Sequence, residues 1–177
     1  ESKWVIRRIA GCYRSLKQPE EALIYYRRYE ALNPDNLSVQ ISIGHCHLEL
    51  KDYNEALKCF FKVDYLDNKS HKAWRPIAWC SFLTGKYDQA RNYYKKILDN
   101  QPHAQDLLNA GHTEWALQNI KGALSFYQQA VQMENGNILK FQEQFSQDVA
   151  DLLIAGIEEA EVALMLDQLR YKIEGAI

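Results

Sequence analysis

The amino-acid sequence predicts an all-α solenoid in which antiparallel helix pairs stack one after another. Alanines recur along the chain at spacings of 34, 34 and 33 residues. Each is followed four residues later by an aromatic residue and preceded twelve residues earlier by Ala or Gly. A fixed period of about 20 to 50 residues is the signature of a repeat architecture. The three sets are Ala22, Ala56, Ala90 and Ala123; Tyr26, Phe60, Tyr94 and Tyr127; and Ala10, Gly44, Ala78 and Gly111.

Each period reads as two helices followed by a turn. The stretches "YNEALKCFFKVDYLDN", "YDQARNYYKKILDNQP" and "IKGALSFYQQAVQMEN" carry apolar residues at i, i+3, i+4 and i+7, which is the stripe of an amphipathic helix. A small residue on the first helix, such as Gly44, faces a small one on the second, such as Ala56, so that the backbones approach closely. Turn-forming residues follow each aromatic by eight positions: Pro34, Asn68, Pro102 and Asn135.

The bulk composition is that of a folded protein. Of the 177 residues, 47% are apolar and 25% are charged, and no apolar run approaches the length of a membrane span. The net charge of −2 predicts no general affinity for nucleic acid. The two halves differ, since residues 1–103 hold 17 Lys and Arg against 12 Asp and Glu, whereas residues 104–177 hold 4 against 11.

The cysteines and the N-terminal residues are relevant to the subcellular localisation of the protein. Four cysteines without paired short spacing are typical of reduced intracellular thiols, so we expect a cytoplasmic protein. The sequence begins with neither Met nor a basic-then-apolar leader, and we expect that the native chain is longer.

With its period in register, the sequence resembles the tetratricopeptide repeat (TPR) family. The family pattern is roughly W-x2-L-G-x2-Y, then A-x3-F, then P, over 34 residues. The third repeat fits best, with Trp74, Ala78, Ala90, Tyr94 and Pro102, whereas the second repeat has Gln40 at the Trp position. The resemblance implies a right-handed superhelix of four repeats and a protein–protein interaction scaffold that binds peptide segments or a partner domain in its concave groove. The repeats cover about 3–36, 37–70, 71–103 and 104–137 within residues 1–137.

Residues 138–177 break the period and predict a C-terminal capping helix pair. "ILKFQEQFSQDVADLLIAG" reads as one helix with Phe141, Phe145 and Val149 on one side, and "IEEAEVALMLDQLRYKI" reads as another after Gly156. A solenoid needs its apolar end covered, which favours a cap. The alternative is a helix that docks a partner or mediates dimerisation. The ending is also similar to tails of some bacterial TPR proteins.

The stretch "GHCHLEL" places three metal-ligand residue types together, yet the fold argues against a metal site. Within a helix, His45 and His47 point about 200° apart and cannot share an ion. Cys46 has the same repeat position as Cys12 and Cys80, which indicates a small, half-buried apolar position. The chain also lacks nucleophile, phosphate-loop and zinc-protease motifs. We therefore predict no enzyme activity, no cofactor and no metal.

The resemblance also identifies candidate peptide-binding residues. In TPR proteins the first helix of each pair lines the concave surface through positions 2, 5, 6, 9, 12 and 13. Position 9 holds Gly11, His45, Trp79 and His112 in the four repeats. We expect an extended or helical peptide with apolar anchors and some acidic character. The alternative is that these side chains pack on neighbouring helices or under an adjacent segment. The candidates are Arg7, Arg14, Ile41, His45, Leu48, Lys72, Arg75, Trp79, Phe82, Leu108, His112 and Trp115.

Other classes of partner are less well supported by the sequence. Chaperone-binding TPR proteins clamp a carboxylate with Lys, Asn and Arg; the corresponding positions here are Arg7, Gly11, Ser42, Lys72 and Pro76, of which only Lys72 matches. No chaperone carboxylate clamp is therefore expected, and neither nucleic acid nor membrane is an expected partner. The alternatives for function are a regulatory or assembly module of a longer multidomain protein and a helical-repeat RNA binder. The acidic C-terminal part argues against the RNA binder.

Overall fold

The computed structural model describes residues 2–67, 69 and 71–175. Within these ranges all regular secondary structure is α-helical, which confirms the predicted class. The predicted turn-former Asn68 lies outside the described residues. The helices are α1 (Lys3–Ser15), α2 (Pro19–Leu32), α3 (Leu37–Glu49), α4 (Tyr53–Leu66), α5 (Trp74–Leu83), α6 (Tyr87–Leu98), α7 (Ala104–Ala116), α8 (Ile120–Met133), α9 (Ile138–Gln147), α10 (Val149–Ile154) and α11 (Glu159–Glu174). None of these described helices has both the length and the apolar character that a membrane span requires.

The same turn joins the two helices of every pair. The second residue after the end of each first helix takes a positive φ, and the backbone N–H of the residue that follows it donates to the carbonyl five residues earlier, which ends the helix tightly. Only one of the four positive-φ positions is glycine, so the repeat geometry imposes this conformation on longer side chains. The positions are Lys17 (φ 59°), Lys51 (61°), Gly85 (72°) and Gln118 (60°). The hydrogen bonds are Gln18 to Tyr13 (3.0 Å), and Asp52 to His47, Lys86 to Ser81 and Asn119 to Glu114 (each 2.8 Å).

The chain forms two compact units, Glu1–Cys80 and Ser81–Ile177, with the boundary inside α5. In the N-terminal unit, α1 packs against α2 and α3 packs against α4 and α2. A Cβ atom on Gly44 would lie 2.6 Å from the ring of Phe60, so only glycine fits where α3 crosses α4. The core of this unit joins α1 and α2 to α3 and α4 through buried residues: Ile6, Ala10, Ala22, Tyr26, Tyr29, Val39, Ile43, Cys46 and Cys59.

In the C-terminal unit, α7 packs against α6 and α8, and α8 also contacts α9 and α11. Gly111 repeats the close approach of Gly44, because a Cβ there would lie 2.6 Å from Cδ1 of Tyr127. The guanidinium of Arg91 on α6 donates to both carboxylate oxygens of Glu114 on α7, at 2.7 and 2.9 Å. Burial raises the pKa of Glu114, but hydrogen bonds from Arg91 and Asn119 outweigh that effect and lower it overall.

The C-terminal segment differs in detail from the sequence prediction. The stretch expected as one helix is broken at Asp148 into α9 and α10, and Val149 begins the second piece, half-buried. Phe141 and Phe145 are buried as expected, at 2% and 0% exposure. Gly156 lies between α10 and α11 with a φ of +92°, a backbone conformation that residues other than glycine rarely adopt.

Candidate functional site

An open depression of about 820 Å³ lies along α1 in the N-terminal unit. It borders the face on which the family pattern places ligand contacts. We call it the Gly11 depression. It is lined by Trp4, Arg7, Arg8, Gly11, Cys12, Ser15, Leu16, Tyr26 and Ser42.

The depression is explained by the glycine that α1 carries at position 9. The next repeat has His45 at this position, and that side chain packs edge-on against Phe60 with ring centroids 5.2 Å apart. A Cβ on Gly11 would meet nothing within 4 Å. The lining also includes Tyr26, an otherwise buried residue of α2. The missing side chain therefore leaves space beside an aromatic ring.

The charge of α1 has one sign. The helix carries Lys3, Arg7, Arg8 and Arg14 and no acidic residue. Arg7 donates to the hydroxyl of Ser38 at 3.5 Å, and Arg14 Nε lies 3.4 Å from a carboxylate oxygen of Glu49. These exposed contacts are weak and easily exchanged for a ligand.

One exposed aromatic ring accompanies these cations. Trp4 is 68% exposed, and the guanidinium of Arg8 lies 5.7 Å from its ring centroid. The surface therefore combines positive charge with an accessible indole, two features that are enriched at binding interfaces.

The predicted contacts on α3 lie at the surface of the same unit. Ile41, His45 and Leu48 are half-buried. Burial, together with the charge of Arg14, lowers the pKa of His45, so the imidazole is neutral at pH 7. It therefore offers hydrogen bonds and a ring face to a ligand rather than a positive charge.

The histidines and cysteine of "GHCHLEL" diverge as the helical geometry requires. His47 is buried and its Nδ1 lies 3.3 Å from a carboxylate oxygen of Asp52, while Cys46 is completely buried in the core. Burial raises the pKa of the Cys46 thiol to about 11. Among the described residues, no three His, Cys, Asp or Glu side chains are grouped so that they could hold a metal ion.

The other candidates of the N-terminal unit are also accessible. Lys72 and Arg75 are exposed, and Trp79 is half-buried on α5. This unit thus holds eight of the twelve candidates in positions that a partner can reach at least partly: Arg7, Arg14, Ile41, His45, Leu48, Lys72, Arg75 and Trp79.

The remaining four candidates are buried in the C-terminal unit. Phe82 and Trp115 are 2% exposed, and Leu108 and His112 are 0% exposed. The ring centroid of Phe145 on α9 lies 5.2 Å from that of His112, and the ring centroid of Phe82 lies 6.3 Å from it. A partner cannot contact a side chain inside such a cluster. We therefore remove these four residues from the candidate surface and assign them to packing, the alternative that the sequence left open.

His112 also belongs to a buried polar chain. Its Nδ1 is hydrogen bonded to the hydroxyl of Tyr127 at 2.8 Å, and its Nε2 lies 3.4 Å from a carboxylate oxygen of Asp148. Burial raises the pKa of Tyr127 well above its ordinary value, with a smaller contribution from Asp148. The phenol therefore keeps its proton and can donate it to Nδ1. Tyr127 and His112 are both fully buried, so this His–Tyr–Asp arrangement ties α9 to α7 and α8 and cannot reach a substrate.

The candidate set omitted several residues of the depression. Trp4, Arg8, Ser15 and Ser42 lie at groove positions of the register, but they are smaller or more polar than most of the aromatic residues at the groove positions of later repeats, apart from Trp4. A signal was present in the sequence: glycine stands at position 9 of the first repeat only, where the other repeats carry His or Trp.

The helix pairs, their common turn and the surface along α1 define a class of protein: a helical-repeat solenoid, which uses the faces of its repeats for binding. Sequence profiles described as tetratricopeptide repeat match residues 8–36, 37–70 and 84–138, about two thirds of the chain. The protein belongs to the tetratricopeptide repeat family, whose members are interaction scaffolds.

Two curated relatives come from Caenorhabditis elegans. The chain is 22% identical over 127 residues to the tetratricopeptide repeat-containing protein trd-1, covering 71% of this chain and 16% of trd-1. It is 26% identical over 143 residues to tetratricopeptide repeat protein 8, covering 80% of this chain and 26% of that protein. The chain thus spans only about a sixth to a quarter of the length of these relatives.

Solved structures with a similar fold include MamA proteins. MamA residues 41 to the end, from Desulfovibrio magneticus RS-1, is similar with a TM-score of 0.75 and 20% identity, covering 96% of both chains. The pilF protein of Pseudomonas aeruginosa is similar with a TM-score of 0.65 and 21% identity, over 82% of this chain and 67% of that chain. These similarities establish the TPR solenoid fold.

Proposed function

We propose that the protein binds a peptide segment of a partner protein along α1 and α3, with an apolar side chain of that segment seated in the Gly11 depression. The observation that carries the proposal is the open space at Gly11, bordered by Tyr26 and lying within a basic surface. No catalytic step and no cofactor enters this proposal.

The depression favours an apolar or aromatic anchor. Tyr26 is 6% exposed and forms part of the lining, while Trp4 offers a large exposed ring nearby. Anchors that fill a pocket supply most of the energy of typical interfaces. A single Leu, Phe or Tyr of the partner would thus gain burial against Tyr26.

The charge favours acidic residues on either side of the anchor. Arg7 and Arg8 are exposed, and Arg14 is half-buried with its Nε 3.4 Å from a carboxylate oxygen of Glu49. Carboxylates of a ligand can replace Ser38 as the partner of Arg7 and Glu49 as the partner of Arg14, and each can form a bidentate pair with the guanidinium group. The proposed ligand is therefore an acidic peptide with an apolar or aromatic anchor.

A peptide-display selection on the purified chain tests the proposal, followed by binding measurements with labelled synthetic peptides. We expect selected sequences to carry Leu, Phe or Tyr flanked by Asp and Glu. We expect Gly11→Trp, which fills the depression, to weaken binding of those peptides at least about tenfold, equivalent to 1.4 kcal/mol. Arg7→Glu with Arg14→Glu is expected to weaken binding similarly and to reduce its salt dependence.

The matched control is Gly11→Ala. Its single methyl group meets nothing within 4 Å and leaves most of the depression open, so the affinity should stay close to that of the original chain. Selected peptides that bind the Gly11→Trp variant with undiminished affinity would show that the depression is not the site.

A further inference from the structure

A cavity of about 310 Å³ lies in the C-terminal unit, lined by residues of α6, α7 and α8. Its walls are mostly apolar and come from all three helices: Tyr94 and Leu98 of α6, Ala110 of α7 and Phe126 of α8. Tyr94 and Ala110 are buried, whereas Leu98 and Phe126 are half-buried. We call this space the Ala110 cavity. It shares no lining residue with the Gly11 depression.

The cavity is explained by a small residue at one position of the repeat. The residue that precedes the small residue of each first helix is Ile9, Ile43 and Ile77 in the first three repeats, and Ala110 in the fourth. Ile43 and Ile77 are completely buried. The alanine lacks most of that side chain, and a packed interior from which such a group is missing retains an empty space.

Two apolar residues that the earlier repeats lack border this space. Leu98 of α6 stands where α2 has Glu30. Phe126 of α8 stands where α4 has Cys59. In the N-terminal unit the carboxylate of Glu30 accepts a hydrogen bond from Gln40 of α3, so a polar contact occupies the equivalent place between repeats. The fourth repeat therefore has an apolar opening where the second has polar pairing.

The charged residues that line the cavity are balanced. The guanidinium of Arg91 donates to both carboxylate oxygens of Glu114, at 2.7 and 2.9 Å, so their hydrogen bonds are closed within the protein. Lys95 and Asp99 are exposed and mark the opening of the cavity. Two positive and two negative residues sum to zero. Because an unpaired charge is costly to bury, this balance favours an uncharged ligand.

The volume limits the class of ligand. Small-molecule sites usually have volumes of about 300–1,000 Å³, and an apolar cavity of about 150 Å³ accommodates benzene. A cavity of about 310 Å³ can hold one or two fused aromatic rings but is too small for a peptide segment. The rings of Tyr94 and Phe126 can pack edge-on or stack against such a ligand.

We propose that the Ala110 cavity binds a small, uncharged aromatic molecule of one or two rings. The faces of its rings contact Leu98, Ala110 and Phe126, and its outer edge lies at the opening beside Lys95 and Asp99. This site is separate from the peptide surface along α1 and α3, and it takes a different class of ligand.

Fluorine NMR of fluoroindole with the purified chain tests the proposal. We expect saturable binding with a dissociation constant on the order of 1 mM or below. Ala110→Ile restores the residue of the other three repeats and fills the cavity, so the affinity should fall at least about tenfold. Ala110→Val fills less of the space and should cause a smaller loss. The matched control is Ala163→Ile, at an exposed residue of α11, which should leave the affinity unchanged.

A second variant fills the cavity from the opposite wall. Leu98→Trp places a large side chain in the space from α6 and should weaken binding by a similar factor, even if Ala110→Ile does not fold. Circular dichroism shows which variants remain helical. The proposal is overturned if fluoroindole shows no saturable binding to the original chain, or if it binds the folded filled variants with undiminished affinity.

Two charged analogues of indole test the charge of the ligand. Indoleacetate carries a carboxylate, which would lie near Asp99 and Glu114, and tryptamine carries an ammonium group, which would lie near Arg91 and Lys95. Each should therefore bind more weakly than indole in competition with fluoroindole. A charged analogue that binds more tightly than indole would overturn the assignment of an uncharged ligand.

Discussion

The first helix of a repeat presents the same groove positions in both units, but the side chains at those positions are accessible in one unit and buried in the other. In the N-terminal unit, the groove positions of α1 and α3 are exposed or half-buried, and at Gly11 the surface opens into a depression. In the C-terminal unit, α7 offers Leu108, His112 and Trp115 at equivalent positions, and all three are buried. The repeat pattern is the same in both units. What differs is the neighbour that follows α7.

The neighbour in the C-terminal unit is α9 with its two phenylalanines. Phe145 packs on His112 and Tyr127, and Phe141 packs on Tyr127 at 5.6 Å. An aromatic residue in a groove position is thus evidence of a binding surface only where no later helix covers it. The comparison teaches that groove position and ligand contact must be distinguished repeat by repeat.

Truncating the side chain of α9 that packs on His112 should change the stability most. Phe145 is completely buried, so Phe145→Ala leaves a cavity among aromatic rings and should reduce the free energy of unfolding by about 3–5 kcal/mol. Chemical denaturation measures the loss, and hydrogen exchange should show it in α7 and α8. Leu139→Ala, at a 74% exposed residue of the same helix, is the control and should change stability by less than about 0.5 kcal/mol.

The close approach at Gly111 should be nearly as sensitive. Gly111→Ala places a methyl group against the buried ring of Tyr127, whose hydroxyl is held by His112. Because the ring cannot move without breaking that hydrogen bond, we expect destabilisation of about 1–3 kcal/mol in denaturant unfolding. An unchanged stability would mean that α7 and α8 separate at little cost.

The ion pair between α6 and α7 should contribute a smaller, pH-dependent amount. The pKa of Glu114 is lower in the folded state, so its carboxylate stabilises the fold above the unfolded pKa of about 4.5, and this contribution is lost as the pH falls through the folded value. Glu114→Gln should cost about 1–2 kcal/mol at pH 7, since Arg91 is partly exposed. The difference from the original chain should shrink in acid. Glu143→Gln, at an exposed site, is the control and should change the free energy of unfolding by less than about 0.5 kcal/mol.

The smallest effect should have the opposite sign. Gly11 lies inside α1 with open space around it, so Gly11→Ala should raise the free energy of unfolding by about 0.5–1 kcal/mol through helix propensity alone. Thermal unfolding, compared with Gly111→Ala, checks the contrast. The same substitution to Ala would then stabilise the protein at Gly11 and destabilise it at Gly111, although the two glycines occupy neighbouring positions of the repeat.

Much of the local structure could be predicted from the sequence. The period of Ala22, Ala56, Ala90 and Ala123 located the second helices, and Gly44 lies at a close helix crossing as predicted, although the side chain nearest to it is Phe60 and not Ala56. Helical geometry separated His45 from His47, as the structure confirms. These features depend on residues within one repeat or on neighbouring helices, where a fixed spacing determines the contact.

The prediction for Cys12 was wrong, and the reason is instructive. Cys12, Cys46 and Cys80 share one repeat position, yet only Cys46 and Cys80 are buried. Position 10 is covered by the helix pair that precedes it, and in the described residues no pair precedes α1. The environment of a repeat position depends on its neighbours as well as on its register.

The helices, their pairing and the positions that face the groove follow from periodicity, which sets the side chains that share a face. The openness of each of those faces depends on how the helices pack. Trp115 and His112 are as suitable for binding as Trp4 and His45 by residue type, but both are buried in the C-terminal unit, His112 against Phe145 of α9, whereas Trp4 is exposed and His45 is half-buried. Whether a groove position is buried depends on packing between segments that are distant in sequence, such as the packing of Phe145, which removes apolar surface from water. The spacing of residues within one repeat does not predict that packing.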